Sequence, residues 1–329
     1  MTLAEISSIR KIYQLIPDHL KSPYHHPDYV VLDAQEKKNA SAIFFIYTED
    51  QNIYYHPLHL VKTIEFDVYD LESARGYGGP ISTSCEKSFL NRANEHYKKW
   101  IEMYGVCVEF VRFSPVLSNH AIYWGDILFD RVTVAIELMD YDLSYQSYRS
   151  RRYIKKTLAK EPRIYFDSQP TFSKLREFDS LYNQRMKELD ATNHYLYSSN
   201  YFEMLFACGA EMAWVELYGV MISAAIFIKN NYFFEYHLSA SNDMGRAVGA
   251  TNYLLHAVSE KYKDKIKIIH LGGGNNSNSE NSLLQFKKGI GKLSLNYYVG
   301  RRIHNASIYN DLKLRFKIED EKRVIFYRS

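Results

Sequence analysis

Apolar and polar residues alternate in short runs near the start of the chain and in longer helical stripes further on. "YVVLDA" (29–34), "SAIFFIYTE" (41–49) and "NIYYHPLHL" (52–60) are β-branched and aromatic, are separated by polar turns, and predict strands. "CEKSFLNRANEHYKKWIEMYG" (85–105) sets Phe89, Ala93, Tyr97, Trp100, Ile101 and Tyr104 on one face and ends at a glycine, which predicts a helix. "VCVEFVRFS" (106–114) is apolar nearly throughout, as a strand buried on both faces is.

A second cycle begins near Tyr145. "SYRSRRYIKKTLAKE" reads as a helix, "RIYFD" as a strand, and "TFSKLREFDSLYNQRMKELD" as a helix capped by Thr171. "EMAWVELYG", "VMISAAIFIKN" and "NYFFEYHLSAS" are three strands whose tight turns favour antiparallel pairing. "GRAVGATNYLLHAVSEKYKDK" predicts one helix with Leu254, Leu255, Val258 and Tyr262 facing inward, and "IKIIHL" a buried strand. This order suits an α+β acyltransferase layer better than a doubly wound nucleotide fold. No low-complexity linker separates the halves, so two similar domains are expected.

At 329 residues the chain can bury two cores, and its 46% apolar and 24% charged content is that of a globular protein. A net charge of +3 is too small for a general nucleic-acid binder, so an anionic partner must meet a local patch. Tyrosine stands out at 29 residues; each offers a ring to pack and a hydroxyl to bond. No run approaches the roughly 18 apolar residues that a membrane span needs. The first twenty residues read as a charged amphipathic helix and not as a signal peptide. Cys85, Cys107 and Cys208 are odd in number and far apart, as buried thiols in a reducing compartment are. A cytoplasmic location is the expectation.

The strand at 266–271 runs into "GGGNNSNSENSLLQFKKGIG". A phosphate-binding Walker loop needs G-x-x-x-x-G-K-[ST], and no such lysine and hydroxyl follow these glycines. The dinucleotide pattern G-x-G-x-x-G fails at Ser277. By residue type alone the glycines are a strand end that lets backbones approach closely, and Lys287 and Lys288 are solvated charges on a helix.

Taken in order, "SPYHHPDYV", "GYGGP", "RRYIKKTLAKEPRI", "YNQRMKELDATNHYLYSSNYFEML", "EYHLSASND", "GRAVGATNYLLHAV", "KIIHLGGG", "SLLQFKKGIG" and "YYVGRRI" resemble the Fem-type aminoacyltransferases and their BioF-like acyltransferase relatives over nearly the whole chain. The resemblance implies two tandem GNAT-like domains, each a mixed, mostly antiparallel sheet flanked by helices. The first would be 1–145, completed by 297–329, and the second 146–296. The implied reaction moves an amino acid or acyl group onto an amine of a nucleotide- or lipid-linked sugar or peptide precursor of the cell envelope.

Amide formation needs a neutral amine, a stabilised oxyanion and a proton for the leaving group. The family's Phe-Lys pair matches Phe286 and Lys287, with Lys287 as the cation at the carbonyl oxygen. Gly272, Gly273 and Gly274 would line the donor. Arg149, Arg152 and Lys156 share one face of the basic helix, and Arg152 matches the family arginine that helps hold the acceptor's diphosphate. Tyr77 and Gly79 lie in the "RGYGGP" loop that resembles the lining of the acceptor cleft, and Tyr236 matches a cleft-facing strand. Members acting on peptidoglycan often carry an acidic residue soon after this Gly-Pro; Ile81, Ser82, Thr83 and Ser84 stand there instead. The general base stays open between Glu235 and His237, which alternation puts on one face, opposite Phe234, Tyr236 and Leu238.

The donor also stays open. "RAVGAT" gives Arg246 and Gly249 as a partial match to the R/Q-x-x-G-x-G/A loop that holds the pyrophosphate of CoA at a helix N-terminus, with Thr251 in place of the last small residue. Fem-like enzymes that use aminoacyl-tRNA have lost that loop. Charged tRNA and acyl-CoA are therefore the two candidate donors, no metal or redox cofactor is indicated, and peripheral association with the inner membrane face fits a lipid-linked acceptor. A rival from another class is a non-catalytic protein that binds RNA or anionic lipid through the basic helix.

Overall fold

The computed structural model describes residues 2–192, 196–318 and 323–328. Residues 193–195 of the "YNQRMKELDATNHYLYSSNYFEML" motif, and 319–322 near the end of the chain, lie outside the described residues. In chain order the elements begin with α1 (Leu3–Leu15), α2 (Pro27–Gln35), β1 (Ala40–Glu49), β2 (Asn52–Thr63), β3 (Val68–Glu72), β4 (Ile81–Ser82), α3 (Lys87–Glu102) and β5 (Val106–Arg112). Next come β6 (Asp126–Glu137), α4 (Tyr148–Leu158), β7 (Arg163–Asp167), α5 (Phe172–Glu188) and α6 (Ser199–Ala207). The chain continues through β8 (Ala210–Leu217), β9 (Val220–Lys229), β10 (Phe233–Ser241), α7 (Asp243–Val248) and α8 (Ala250–Tyr262). It closes with β11 (Ile268–Gly273), α9 (Ser282–Lys288), β12 (Leu293–Ile303) and α10 (Ala306–Phe316).

One compact unit comprises Met1–Arg131 and Asn296–Ser329. Its strands lie in the order β1-β2-β3-β5-β12, with β4 pairing the far end of β2. β1 and β2 form an antiparallel hairpin from Ala40↔Val61 to Glu49↔Asn52. The apolar stripe of α3 does what its spacing predicts: Phe89, Ala93, Tyr97 and Ile101 are buried against Phe45, Tyr54, Leu58 and Leu71. The last part of the chain joins this unit because β12 pairs antiparallel with β5, from Val299↔Arg112 to Ile303↔Val108. α10 then lays Tyr309 and Leu312 over Cys107 and Val108.

The segment "YVVLDA" is helical, not extended. Pro27 opens α2 at a position where its missing N–H costs nothing, and the His26 ring accepts from the Asp28 amide at 3.3 Å. Tyr29, Val30, Leu32 and Ala34 are buried, so tertiary packing outweighs the strand preference of the two valines.

The other unit is Val132–Leu295. Its strand order is β6-β11-β10-β9-β8-β7. β8 to β10 form an antiparallel meander, with Tyr218 (φ +54°) and Gly219 (φ +77°) making the tight turn between β8 and β9, and β7 pairs antiparallel with β8 at the edge. α8 crosses back so that β11 runs parallel to β10, and Leu254, Leu255, Val258 and Tyr262 are all buried beneath it. Residues 132–145 sit in this unit because Thr133–Glu137 of β6 pairs antiparallel with Gly273–Ile268 of β11. The single helix expected over 245–265 is two, α7 and α8, broken at Gly249. Gly249 has φ +83°, and a Cβ there would lie 2.5 Å from the Tyr153 side chain, so glycine is required twice over.

Each unit is thus an α+β layer built on a mixed, mostly antiparallel sheet, as expected. One feature of the second sheet positions the candidate site. The parallel pairing of β10 with β11 covers only Phe233–Glu235 with Ile268–His270. Beyond that point β10 stays with β9 and β11 stays with β6, so a wedge opens between the two strands. Among the described residues no helix is long and apolar enough to cross a membrane.

Candidate active site

β11 ends in the glycine run, and each glycine does something different. The pairing of β11 with β6 shifts register between His270 and Gly272, and Gly272 takes φ +75° to absorb that bulge. Gly273 continues the strand opposite Thr133. At Gly274 a Cβ would sit 2.6 Å from Asn281 Oδ1. Asn281 is the N-cap of α9, its Oδ1 accepting from the Leu283 and Leu284 amides, and its Nδ2 donates to Asn275 and Asn276. The glycines and asparagines together therefore clamp the start of α9 to the end of β11.

α9 is seven residues long and carries Lys287 in its last turn. Leu284 is buried in the apolar core and Phe286 packs against it. Lys287 is only 9% exposed, and its Nζ donates to the carbonyl oxygen of Gly273 at 2.7 Å. The neighbouring Lys288 is exposed. Lys287 is thus not the solvated charge that its residue type alone suggests. Its cation is held at the rim of the strand that borders the wedge.

The basic helix α4 joins this centre at one end. Ser147, its N-cap, donates its backbone N–H to the Gly289 carbonyl at 2.9 Å, immediately after α9. Arg149 and Arg152 are exposed, and Arg152 makes no hydrogen bond or ion pair among the described residues. Lys156 differs: its Nζ donates to the Ala247 carbonyl at 2.7 Å and so helps end α7. Arg151 is spent on the Ser144 and Gln146 carbonyls.

The "RAVGAT" residues are occupied by the fold. Arg246 donates to the Ser241 carbonyl at 2.6 Å, lies 3.2 Å from Glu188, and pairs with Asp243. Gly249 is covered by the Tyr153 ring, and the Thr251 hydroxyl is shared with Ser223 and Ser241.

Tyr236 packs on Phe227, with ring centroids 5.5 Å apart, and burial pushes its hydroxyl up to about 12. Strict alternation does not hold along β10, because a bulge falls between Tyr236 and Leu238. His237 sits in that bulge with Nε2 2.9 Å from the Tyr201 hydroxyl. Glu235 is buried, facing His270. The two candidate bases therefore lie in different surroundings.

Tyr77 and Gly79 belong to the other unit. Gly79 has φ +91°, a Cβ there would meet Phe113 at 2.9 Å, and its carbonyl accepts from His25 Nε2 at 3.0 Å. Asn119 donates to the carbonyls of Gly78 and Pro80, each at 2.8 Å, so the loop is pinned from inside. Tyr77 stands edge-on to Tyr24 and Tyr297. The structure thus groups Lys287, Phe286 and Gly272–Gly274 around α9, whose end meets the N-cap of α4. Arg149 and Arg152 lie exposed along α4 next to Tyr153, which packs on Gly249, and Lys156 holds the Ala247 carbonyl.

FemX and L-PGS are among the solved structures that share this architecture. FemX matches with a TM-score of 0.65 at 13% identity, over 89% of this chain and 98% of its own. The fold is that of FemX. L-PGS from Bacillus licheniformis matches with a TM-score of 0.60 at 13% identity, over 96% of both chains. No family model and no curated protein sequence matches the chain. The resemblance to Fem-type proteins drawn from the ordered motifs thus holds at the level of fold.

Within this FemX-like fold, one buried polar chain escaped the sequence reading. His270 Nδ1 lies 2.8 Å from Glu235 Oε2, and its Nε2 lies 3.0 Å from the Thr133 hydroxyl. All three side chains are at most 1% exposed, and Glu235 Oε1 has no hydrogen-bond partner among the described residues. Burial raises the Glu235 carboxyl above its ordinary value, against the pull of His270. The chain spans β10, β11 and β6 at the apex of the wedge. A histidine in the otherwise apolar "IKIIHL" was the signal that could have found it.

Proposed function

We infer that this protein is an aminoacyltransferase that forms an amide on an amino group of a cell-envelope precursor, with aminoacyl-tRNA as donor. The observation that carries the reading is the buried Lys287 cation, fixed by the Gly273 carbonyl beside the wedge of a FemX-like fold. When an amine attacks an ester carbonyl, negative charge develops on the carbonyl oxygen. A positive charge fixed beforehand in a poorly solvated site stabilises that oxyanion without reorganisation. Phe286 supports the reading by anchoring α9 in the core, so that the lysine approaches from one direction.

Arg149 and Arg152 suit the phosphates of a nucleotide- or lipid-linked acceptor, because exposed guanidiniums bind phosphate oxygens in pairs. The name of L-PGS, lysylphosphatidylglycerol synthetase, supports an acceptor of the envelope. The charge of Arg246 is met by Glu188 and Asp243, and Tyr153 covers Gly249, which favours charged tRNA over acyl-CoA.

The test is direct. The protein is incubated with radiolabelled aminoacyl-tRNA and, separately, radiolabelled acetyl-CoA, each with amine-bearing nucleotide-sugar precursors. Label moving from tRNA to the precursor supports the reading. Label moving only from acetyl-CoA means an acyl-CoA-dependent N-acyltransferase, and RNA or anionic-lipid binding without transfer means a binding protein.

A further inference from the structure

Three consecutive glycines make the end of β11 permissive, since none carries a side chain to restrict its backbone. Yet the Gly273 carbonyl must point one way to hold Lys287. Something other than the glycines has to set that direction. The strand partner of Gly273 is Thr133, and the bulge at Gly272 removes one residue of regular pairing just before it.

Thr133 is held from its other side. Its hydroxyl donates to the Leu295 carbonyl at 3.4 Å and accepts from His270 Nε2 at 3.0 Å. His270 in turn faces Glu235 at 2.8 Å, and Glu235↔His270 is the last parallel pair before β10 and β11 part. The polar chain therefore bridges three strands at the one place where backbone pairing between two of them stops. Its position lets it replace the missing ladder bonds and stiffen β11 ahead of the glycines.

We propose that Glu235, His270 and Thr133 are positioning residues for Lys287, transmitting through the Thr133↔Gly273 pair and the Gly273 carbonyl. Each of the three side chains is buried, which suits support of Lys287 and not contact with substrate. This proposal rests on the reading of Lys287 as the working group, but its geometry can be tested without any substrate.

The experiment is acylation of the intact protein by limiting acetic anhydride, with peptide mass spectrometry reading each lysine. Lys288, exposed beside it, reports reagent delivery, and Lys21, buried with its Nζ on the Tyr13 carbonyl, reports the integrity of the other unit. Thr133→Val keeps the β-branched shape and the backbone pairing but removes the hydroxyl. It should raise the labelling rate of Lys287 about fivefold while Lys21 and Lys288 are unchanged, as expected when one buried hydrogen bond is lost. Thr133→Ser restores the hydroxyl and should label like wild type, and Glu235→Gln should fall between the two. Unchanged labelling of Lys287 in a folded Thr133→Val protein overturns the proposal, as does equal labelling of the Val and Ser variants. Loss of Lys21 protection in the Val variant would mean general unfolding, and the comparison then rests on Glu235→Gln against wild type. The turnover of a Lys287 variant reads the catalytic assignment separately, so either can fail alone.

Discussion

The Lys287 ammonium donates to the carbonyl oxygen of Gly273 at 2.7 Å, across a loop that begins with Gly274 and ends at the α9 cap Asn281. A lysine this buried loses much of its hydration, and a cation held by a fixed dipole is what a developing oxyanion needs.

Arg152 stands exposed on α4, with Arg149 three residues before it on the same face. If it binds the acceptor's phosphates, Arg152→Ala should weaken acceptor binding about tenfold, since charge-assisted contacts contribute roughly 1.5–3 kcal/mol. The loss should shrink as salt is added. Calorimetric titration with an amine-bearing nucleotide-sugar at two salt concentrations checks both. Equal affinity of mutant and wild type removes Arg152 from the site.

CoA should give no saturable rise in melting temperature. Arg246 is already paired with Glu188 and Asp243, and Tyr153 fills the space over Gly249. A ligand at about a hundred times its Kd stabilises by roughly 2.7 kcal/mol, which a thermal melt detects. A clear saturable shift with acetyl-CoA would move the assignment to acyl-CoA chemistry.

Acid should weaken the unit of 1–131 and 296–329 through its histidines. Burial lowers His25, His56 and His59 to about 4. In the unfolded chain a histidine titrates near pH 6.5, so between about 6.5 and about 4 the unfolded state binds more protons. Stability is full above that window and is lost as pH falls through it, before most carboxylates protonate. Asp33 adds a second loss at lower pH. Burial alone would raise its carboxyl, but Lys37, Arg75 and His59 outweigh that and hold it well below the usual carboxylate range. Hydrogen exchange of β2 amides from pH 7 to pH 4 measures the first step. Exchange protection that stays constant over that range would contradict it.

Much of this fold was legible because period and burial agree. The stripe of α3, the inward face of α8 and the meander β8–β10 all follow from side-chain spacing, since packing demanded nothing else there. "YVVLDA" was not legible, because its valines favour strand while Pro27 and the buried contacts of α2 decide for helix. β6 was missed because its first half, around Ile127 and Phe129, is exposed and carries no inward run. Lys287 was visible only through resemblance, whereas its burial depends on the loop and on Gly273. The Glu235–His270–Thr133 chain joins residues far apart in sequence, and only strand order brings them together.

The central claim is that the Lys287 charge acts on the reaction. Lys287→Met keeps the length and apolar stem and removes the cation, so the protein should stay folded. Lys288→Met is the control, since the next helical position points about 100° away. The measurement is steady-state turnover of aminoacyl transfer from charged tRNA, with melting temperatures alongside. Loss of one oxyanion donor is typically worth about 2.7–4 kcal/mol, so kcat for Lys287→Met should fall on the order of a hundred- to a thousandfold with KM little changed. Lys288→Met should turn over like wild type. Wild-type turnover by a folded Lys287→Met protein would contradict the account.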